Sequence, residues 1–315
     1  MKIKIIGTES LGVRGLCCTL EFNNRKLIID PGVSLGYIRS GLKPHPLQIA
    51  VGDIIRKKII KEIKTSTGII FSHFHGDHIP LMNANPYQLS IKEIGSIGKD
   101  CSIWAKKEDG SNGRMKGREE SLIFGLNHDI DIAEGRIDKN LFFSKEVPHG
   151  MKETHLGTVV MTCIEAEGIR FLHASDIQFL DNETVKEILK IKPDIVLASG
   201  PPIYLEDFMK DKRDIAWNNL IQTSRNVGTL ILDHHILRCK EGFEWLEKLK
   251  AESNNKVVCS ADYMGINRHP LEAIREKLFR DIPVEKDWHD CYEEEKFSLT
   301  DFLNEGRKKY PWFQY

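Results

Sequence analysis

The order of the predicted elements places this chain in the α/β class, with sheets and helices arranged in layers. Strands dominate roughly the first third of the chain, and helices then alternate with strands. The same order recurs in the second half, where paired strands at residues 141–174 precede a second alternating stretch. This pattern is compatible with two packed sheets, built from two similar halves and covered by helices on their outer faces.

Predicted strands are short apolar or alternating runs that end at turn residues. They cover residues 2–6, 16–22, 26–29, 68–71, 101–105, 141–147, 158–165, 169–174, 194–198, 228–232 and 256–259. Asn23-Asn24 is a hairpin signal between the second and third strands. Predicted helices show apolar residues three or four positions apart, and they cover residues 53–64, 182–190, 214–225, 241–250 and 270–280. A further short helix is expected within residues 80–98.

Composition excludes several classes of protein. The chain holds 45 Lys and Arg against 46 Asp and Glu, so its net charge of −1 gives no global attraction to nucleic acid. Seven cysteines without any Cys-x-x-Cys spacing argue against a disulfide framework or a thiolate zinc site. No apolar run approaches the ~18 residues of a membrane helix, and the N-terminus has the pattern of a strand rather than a signal peptide. We therefore expect a cytoplasmic protein without a membrane partner.

The densest group of chemically active side chains is Ser72-His73-Phe74-His75-Gly76-Asp77-His78, directly after the apolar run at residues 68–71. Past the end of a strand, a tight turn can direct several side chains at one point, and Gly76 supplies backbone freedom for it. His73 and His75 can share one metal ion, while Asp77 and His78 are offset toward a second. Imidazole nitrogen and carboxylate oxygen are ligands that zinc prefers.

This run resembles the His-x-His-x-Asp-His signature of the metallo-β-lactamase superfamily, whose members are mostly binuclear metallohydrolases. The resemblance covers roughly residues 1–259 and implies a four-layer αββα sandwich. We expect residues 1–315 to form a single domain of this fold, with residues 270–315 as a C-terminal helical extension. The whole chain, including Ser199-Gly200-Pro201-Pro202, most resembles an uncharacterised archaeal group of predicted hydrolases in this superfamily.

The superfamily supplies three more ligands at the ends of later strands, and this chain offers candidates at each place. His149 and His155 compete for the first, and strand-end placement favours His149. Asp176 matches the second, where a carboxylate can bridge two metals. His234 and His235 compete for the third, and we prefer His234 because the ligand follows its strand almost at once. The resemblance therefore implies a set of seven ligands: His73, His75, Asp77, His78, His149, Asp176 and His234.

In family terms, His73, His75 and His149 hold one metal ion, while Asp77, His78 and His234 hold the other. Asp176 and a water or hydroxide are shared between the two ions. The family also has an aspartate just after the third strand that supports the metal ligands from behind, and Asp30 matches it. We expect two divalent ions, zinc first, with manganese or iron as alternatives.

Two such ions convert a bridging water into a nucleophilic hydroxide near neutral pH and polarise the bond under attack. Asp77 is the candidate catalytic residue, which orients that hydroxide or accepts its proton. The predicted function is thus hydrolysis of an ester, lactone or phosphodiester. The sequence does not decide between a small molecule and a nucleic acid as substrate.

Two alternatives remain open. A phosphodiesterase or nuclease acting on RNA or DNA is the narrower one, and a non-enzymatic binding module is the other. The polar stretch at residues 106–121 is either an arm for an anionic substrate or, as we prefer, a solvated loop. The aromatic-rich last thirty residues are expected to pack on their own domain, with a cap over the site or a homodimer contact as the other options.

Overall fold

The computed structural model of the protein describes residues 1–152, 156–293 and 299–315. Within these residues, two sheets follow the order of their strands along the chain. The first sheet contains β1 (Lys2–Gly7), β2 (Cys17–Phe22), β3 (Arg25–Ile29), β4 (Gly68–Phe71), β5 (Ser102–Ala105) and β6 (Asp131–Ile132). The second sheet contains β7 (Ile137–Asp138), β8 (Leu141–Pro148), β9 (Thr158–Ala166), β10 (Ile169–Ser175), β11 (Ile195–Ala198), β12 (Thr229–Leu232) and β13 (Lys256–Val258).

The two sheets repeat one pattern of strand pairing. In the first, β1, β2 and β3 are antiparallel neighbours, and β4, β5 and β6 then add in parallel. In the second, β7 to β10 are antiparallel, and β11, β12 and β13 then add in parallel. The prediction of two similar halves is therefore confirmed.

Helices connect the parallel strands and cover the sheets. Those of the first half are α1 (Pro46–Thr65), α2 (Ile91–Ile94) and α3 (Gly113–Leu126). Those of the second half are α4 (Asn182–Ile191), α5 (Glu206–Met209), α6 (Arg213–Asn226), α7 (Lys240–Glu252) and α8 (Ser260–Met264). The C-terminal segment contains α9 (Arg275–Asp281), α10 (Trp288–Glu293) and α11 (Thr300–Lys309).

Alternate side chains of strand β3 face two different layers of the fold. Leu27 and Ile29 are buried in the core between the two sheets, whereas Ile28 packs on the outer side together with Ile55 and Ile59 of α1. Alternate residues of a strand point to opposite faces, so a strand buried on both faces is apolar throughout. Helices α4, α6 and α7 cover the second sheet in the same way. The predicted four-layer αββα sandwich is thus confirmed.

Three element predictions differ from the structure, and one of them is the helix expected at residues 270–280, since α9 begins at Arg275. Helix α1 begins at Pro46 rather than at residue 53, because the His45 side chain accepts a hydrogen bond from the Leu47 amide as an N-cap. Residues 106–121 are not a loop throughout, since α3 begins at Gly113 with Asn112 as its N-cap. This helix has few apolar residues, and its hydrophobic pattern was too weak to predict it from sequence.

The C-terminal segment packs against the first half. Phe302 of α11 and Phe279 of α9 place their rings 5.9 and 4.8 Å from the ring of His45, at the start of α1. Trp288, Tyr310 and Phe313 are buried in the same core, and Phe297 lies outside the described residues. Within the part of the chain described, no helix is long and apolar enough to span a membrane.

Candidate metal centre

The predicted ligands lie at the ends of four strands. His73, His75, Asp77 and His78 follow β4; His149 follows β8, Asp176 follows β10, and His234 comes two residues after β12. All seven side chains converge on one region, where the ends of both sheets meet. At the same ends, Asp30, Ser175 and His234 adopt positive φ angles of 47°, 53° and 70°. Such backbone strain in non-glycine residues is concentrated at functional sites in proteins.

One group of three imidazoles, called here the first triad, comprises His73, His75 and His149. Their ring nitrogens surround oxygen Oδ2 of Asp176, which lies 3.4 Å from Nε2 of His73 and 2.9 Å from Nε2 of His149. The Nδ1 atom of His75 is 3.8 Å from the same oxygen. These four residues form a group whose ligand atoms lie close enough to hold one ion.

A second group, called here the second triad, comprises Asp77, His78 and His234. The Nε2 atoms of the two imidazoles are 3.4 Å apart, and that of His234 is 3.3 Å from Oδ2 of Asp77. The other oxygen of Asp176, Oδ1, faces this triad at 3.1 Å from His78 and 3.6 Å from His234. Asp176 therefore presents one oxygen to each triad.

Asp30 is fully buried behind the second triad. Its Oδ1 accepts a hydrogen bond from the Ser72 amide at 2.8 Å. Its Oδ2 accepts from the hydroxyls of Ser72 and Ser175 at 2.7 and 2.9 Å, and from Nδ1 of His78 at 2.9 Å. The last bond places the imidazole proton on Nδ1 and leaves Nε2 of His78 directed at the site. Ser72 supports the first triad similarly, because its hydroxyl is 2.9 Å from Nδ1 of His73.

Burial and charge set the protonation states of the metal-free site. Burial, reinforced by His78 and His75, lowers the pKa of His73 to about 3, so its ring is neutral at pH 7. Burial also opposes protonation of His78, but Asp176 and Asp30 outweigh it and raise the pKa of His78 well above its usual value. Although burial alone would raise the pKa of Asp176, the surrounding histidines hold it well below its ordinary value. The Asp176 carboxylate is therefore surrounded by imidazole rings.

The donor set fits divalent metal ions. Among the described residues, Nε2 of His73 is buried without a hydrogen-bond partner, although it faces the site. Buried polar atoms in proteins are normally satisfied, so this nitrogen indicates a place for a metal ion. An ion about 2.1 Å from tetrahedral ligands separates those ligands by about 3.4 Å, close to the spacings of both triads.

The structure brings both candidates for the third ligand, His234 and His235, to the site. Strand β12 ends at Leu232, and residues His234–Arg238 form a 3₁₀ helix that turns both imidazoles toward the site. The Nε2 atom of His235 lies 3.5 Å from Oδ2 of Asp176, on the side of the first triad. The preference for His234 therefore stays a prediction. His155, the alternative to His149, lies outside the described residues.

Comparison with known proteins places the chain in a family. It is 40% identical over 303 residues to the UPF0282 protein of Methanosarcina mazei, covering 96% of this chain and the whole of that relative. The chain belongs to the UPF0282 family. A second UPF0282 protein, from Thermococcus onnurineus, is 33% identical over 293 residues, which are 89% of this chain and 95% of the relative. The expected resemblance to an archaeal group is confirmed. No family model matches the sequence.

A solved structure supports the fold of this UPF0282 chain. An isothiocyanate hydrolase from Delia radicum gut bacteria superimposes with a TM-score of 0.50 at 16% identity, covering 82% of this chain and 95% of that one. At this identity the likeness concerns the fold alone. A metal-dependent hydrolase of the β-lactamase superfamily gives a TM-score of 0.49 at 12% identity, covering 82% and 94%.

Sequence reasoning about this UPF0282 chain missed several polar residues of the site. Arg238 places Nη2 2.8 Å from Nε2 of His234 and 3.3 Å from Oδ2 of Asp77. Gln178 places its side-chain amide nitrogen Nε2 3.2 Å from Nδ1 of His149, where it can donate a hydrogen bond to the ring. Arg238 lies four residues after a predicted ligand, and that spacing was the available signal for it.

Proposed function

We propose that the protein is a metal-dependent hydrolase with a binuclear site, in which each triad holds one divalent ion. The observation that supports this most directly is Asp176, a fully buried carboxylate with one oxygen toward each triad. A purely structural polar cluster would not need two sets of ligand atoms that share a single carboxylate. Zinc is the proposed ion, with manganese or iron as alternatives, because the donors are imidazole nitrogens and carboxylate oxygens.

When bound, such ions supply an acidified water as nucleophile and polarise the carbonyl or phosphoryl oxygen of the substrate. The chain provides a carboxylate that this water can reach. The Asp77 side chain keeps 18% of its surface exposed, whereas that of Asp176 keeps 1%. Although burial would raise the pKa of Asp77, its hydrogen bond to His234 and neighbouring positive groups hold it well below the ordinary value. Asp77 is therefore ionised at neutral pH, and its carboxylate is the proposed group that orients the water and accepts its proton.

The position of the remaining groups defines their roles. His73 and His78 are held by hydrogen bonds to Nδ1, so their Nε2 atoms point at the ions without reorganisation. His75 is the more exposed member of the first triad, with 23% of its side chain accessible, and it marks the side from which substrate enters. The substrate class remains an ester, a lactone or a phosphodiester under this proposal, and a phosphodiesterase or nuclease is its narrower form.

The test combines metal content with turnover. Purified protein is loaded with zinc or manganese, its bound metal is counted, and hydrolysis of bis-(p-nitrophenyl) phosphate, p-nitrophenyl acetate and a lactone is measured. The proposal expects about two ions per chain and metal-dependent turnover of at least one substrate. Asp176→Asn should lose turnover and at least one ion, whereas the exposed-loop control Asp129→Asn should keep both.

The outcomes separate the competing functions. Phosphodiester turnover would favour the phosphodiesterase or nuclease, and ester or lactone turnover would favour a small-molecule hydrolase. A non-enzymatic binding module predicts no turnover with any substrate and a function that survives Asp77→Ala and Asp176→Ala. Wild-type protein that binds no divalent metal would contradict the proposal, because its chemistry depends on the ions.

A further inference from the structure

Arg238 lies at the end of the 3₁₀ helix and is only 5% exposed. All three of its side-chain nitrogens have partners. Nε donates to Oε1 of Glu9 at 2.9 Å, and Nη1 donates to the hydroxyl of Tyr204 at 3.0 Å. Nη2 contacts Nε2 of His234 at 2.8 Å and Oδ2 of Asp77 at 3.3 Å. Glu9 therefore fixes one edge of the guanidinium, and the other edge points at the second triad.

The contacts of Nη2 change if the second triad holds an ion. The Nε2 atom of a neutral imidazole has one lone pair, so it cannot bind a metal and accept a hydrogen bond from Arg238 together. Asp77 can do both, since each carboxylate oxygen has two lone pairs. The other edge of Arg238 stays held, because its Nε donates to the buried carboxyl group of Glu9 at 2.9 Å. An N–H of Nη2 thus becomes available beside the ion.

Tyr204 adds a second donor at the same place. Its hydroxyl oxygen accepts from Arg238, so its own proton is directed to another acceptor. The ring of Tyr204 is half-buried, and the guanidinium of Arg39 lies over it with its central carbon 4.8 Å from the ring centre. Arg39 also donates to the carbonyl oxygen of Arg238 at 3.3 Å. These three side chains form one connected polar group beside the second triad.

Two arginines, Arg118 beside the metal loop and Arg39 beside Tyr204, have no carboxylate within salt-bridge distance in the described part of the chain. Arg118 of α3 reaches the metal loop and donates to the carbonyl oxygen of Phe74 at 3.1 Å. Within residues 1–152, 156–293 and 299–315, neither Arg118 nor Arg39 forms a salt bridge, although both are partly accessible. Ionised arginines without carboxylate partners attract anions, and the planar fork of a guanidinium matches the oxygens of phosphate or carboxylate.

We propose that Arg238, Tyr204, Arg39 and Arg118 form a binding site for an anionic oxygen-bearing group of the substrate, a phosphate or a carboxylate, beside the second triad. This inference rests on the proposed metal-dependent hydrolase, and it names the substrate class of that enzyme. Neutral esters and lactones offer only an uncharged carbonyl oxygen to the N–H of Nη2 that His234 releases when it binds an ion. An anionic substrate supplies a charged acceptor, which makes the stronger hydrogen bond.

The experiment measures binding of inorganic phosphate and of acetate to the zinc-loaded protein by titration calorimetry, with zinc content determined for each variant. Arg238→Lys keeps the charge but loses the planar fork, and it should weaken binding of the preferred anion at least about tenfold. Tyr204→Phe and Arg118→Gln should each weaken it about three- to tenfold. Matched controls are Arg225→Gln, on the exposed end of α6, and Tyr263→Phe on α8, and both should bind as wild type does.

Because Arg238 is buried against Glu9, its replacement can also unfold the protein. The variants at Tyr204 and Arg118 do not carry this risk, since both side chains are partly accessible, and they test the inference separately. Stronger binding of phosphate identifies a phosphoester substrate, and stronger binding of acetate identifies a carboxylate-bearing one. Zinc-loaded Tyr204→Phe and Arg118→Gln proteins that bind both anions as tightly as wild type would overturn this inference alone. Absence of zinc from the wild-type protein would overturn the proposed function, and this inference with it.

Discussion

Replacement of Asp30 by Asn tests the support of the second triad with a nearly isosteric change. The oxygen of Asn can still accept from the Ser72 amide, but an NH₂ group replaces the oxygen that faces Nδ1 of His78 at 2.9 Å. Two donors then oppose each other. The imidazole must move its proton to Nε2, which removes that nitrogen as a metal ligand, or must turn away. The serine hydroxyls at Oδ2 can adapt, because a hydroxyl both donates and accepts.

The size of this effect follows from the contacts that are lost. Loss of a hydrogen bond to a buried charged group costs about 1.5–3 kcal/mol, which we expect as lower stability of metal-free Asp30→Asn in urea unfolding at pH 7. Loss of a group that orients a metal ligand lowers metal affinity about 10–100-fold, so we expect this weakening for the ion of the second triad. Zinc titration against a competing chelator measures it.

The pH dependence supplies an internal check. Burial would raise the pKa of Asp30, but the hydrogen bond and charge of His78, with His173 and His73, hold it well below its usual value. The Asp30 carboxylate therefore stabilises the protein above its unfolded pKa of about 3.9, and this contribution is lost as the pH falls through the lower folded value. Asp181→Asn is the matched control, because Asn caps helix α4 as well as Asp does. Unchanged zinc affinity and stability in Asp30→Asn would refute the reasoning.

Three further predictions concern the same loops. Gly32→Ala would place its Cβ against the backbone of His78, so we expect a loss of at least about 3 kcal/mol in unfolding free energy and weaker zinc binding. The control Gly117→Ala has open space around the new Cβ and should keep both stability and zinc binding. The raised pKa of His78 keeps its ring protonated at pH 7, so zinc binding should release about one proton. Calorimetry in two buffers measures this proton release. Zinc affinity should also fall about tenfold per pH unit below that pKa. His234→Ala should reduce bound zinc from two ions to one, whereas His235→Ala should keep two; the reverse result would exchange their roles.

The sequence predicted the positions of the site because its residues follow buried strands directly. A side chain one or two positions past a strand has little freedom, so the end of β4 fixes His73 and the end of β10 fixes Asp176. The strands themselves were recognisable from apolar runs of four to nine residues. Their assembly into two sheets with matching pairing was implied by the repeated order of elements. The strand ends supplied the candidate residues, and the family resemblance grouped them into one site.

Sequence could not reveal contacts between elements far apart in the chain. Arg238 belongs to the site because Glu9, 229 positions earlier, and Tyr204, 34 positions earlier, meet it there. No local pattern encodes such a meeting. Similarly, the direction of His235 depended on whether β12 continued, and the hydrogen bonds of Asp233 to the amides of Ser10 and Ser260 decide that the chain turns there. Tertiary hydrogen bonding outweighed the alternation expected of a strand.

The two triads are not equivalent, and this difference bears on where specificity lies. In the first triad, Nδ1 of His73 lies 2.9 Å from the Ser72 hydroxyl, which can accept its proton, and Nδ1 of His149 lies 3.2 Å from the amide nitrogen of Gln178. In the second triad, His234 is approached by donors, since the Gly15 amide lies 3.1 Å from Nδ1 and Arg238 lies 2.8 Å from Nε2. Under the proposed function, the second triad holds a cation of the chain itself, Arg238, beside the ion position. An anion brought by the substrate would stabilise that arrangement, so we expect selection among substrates there.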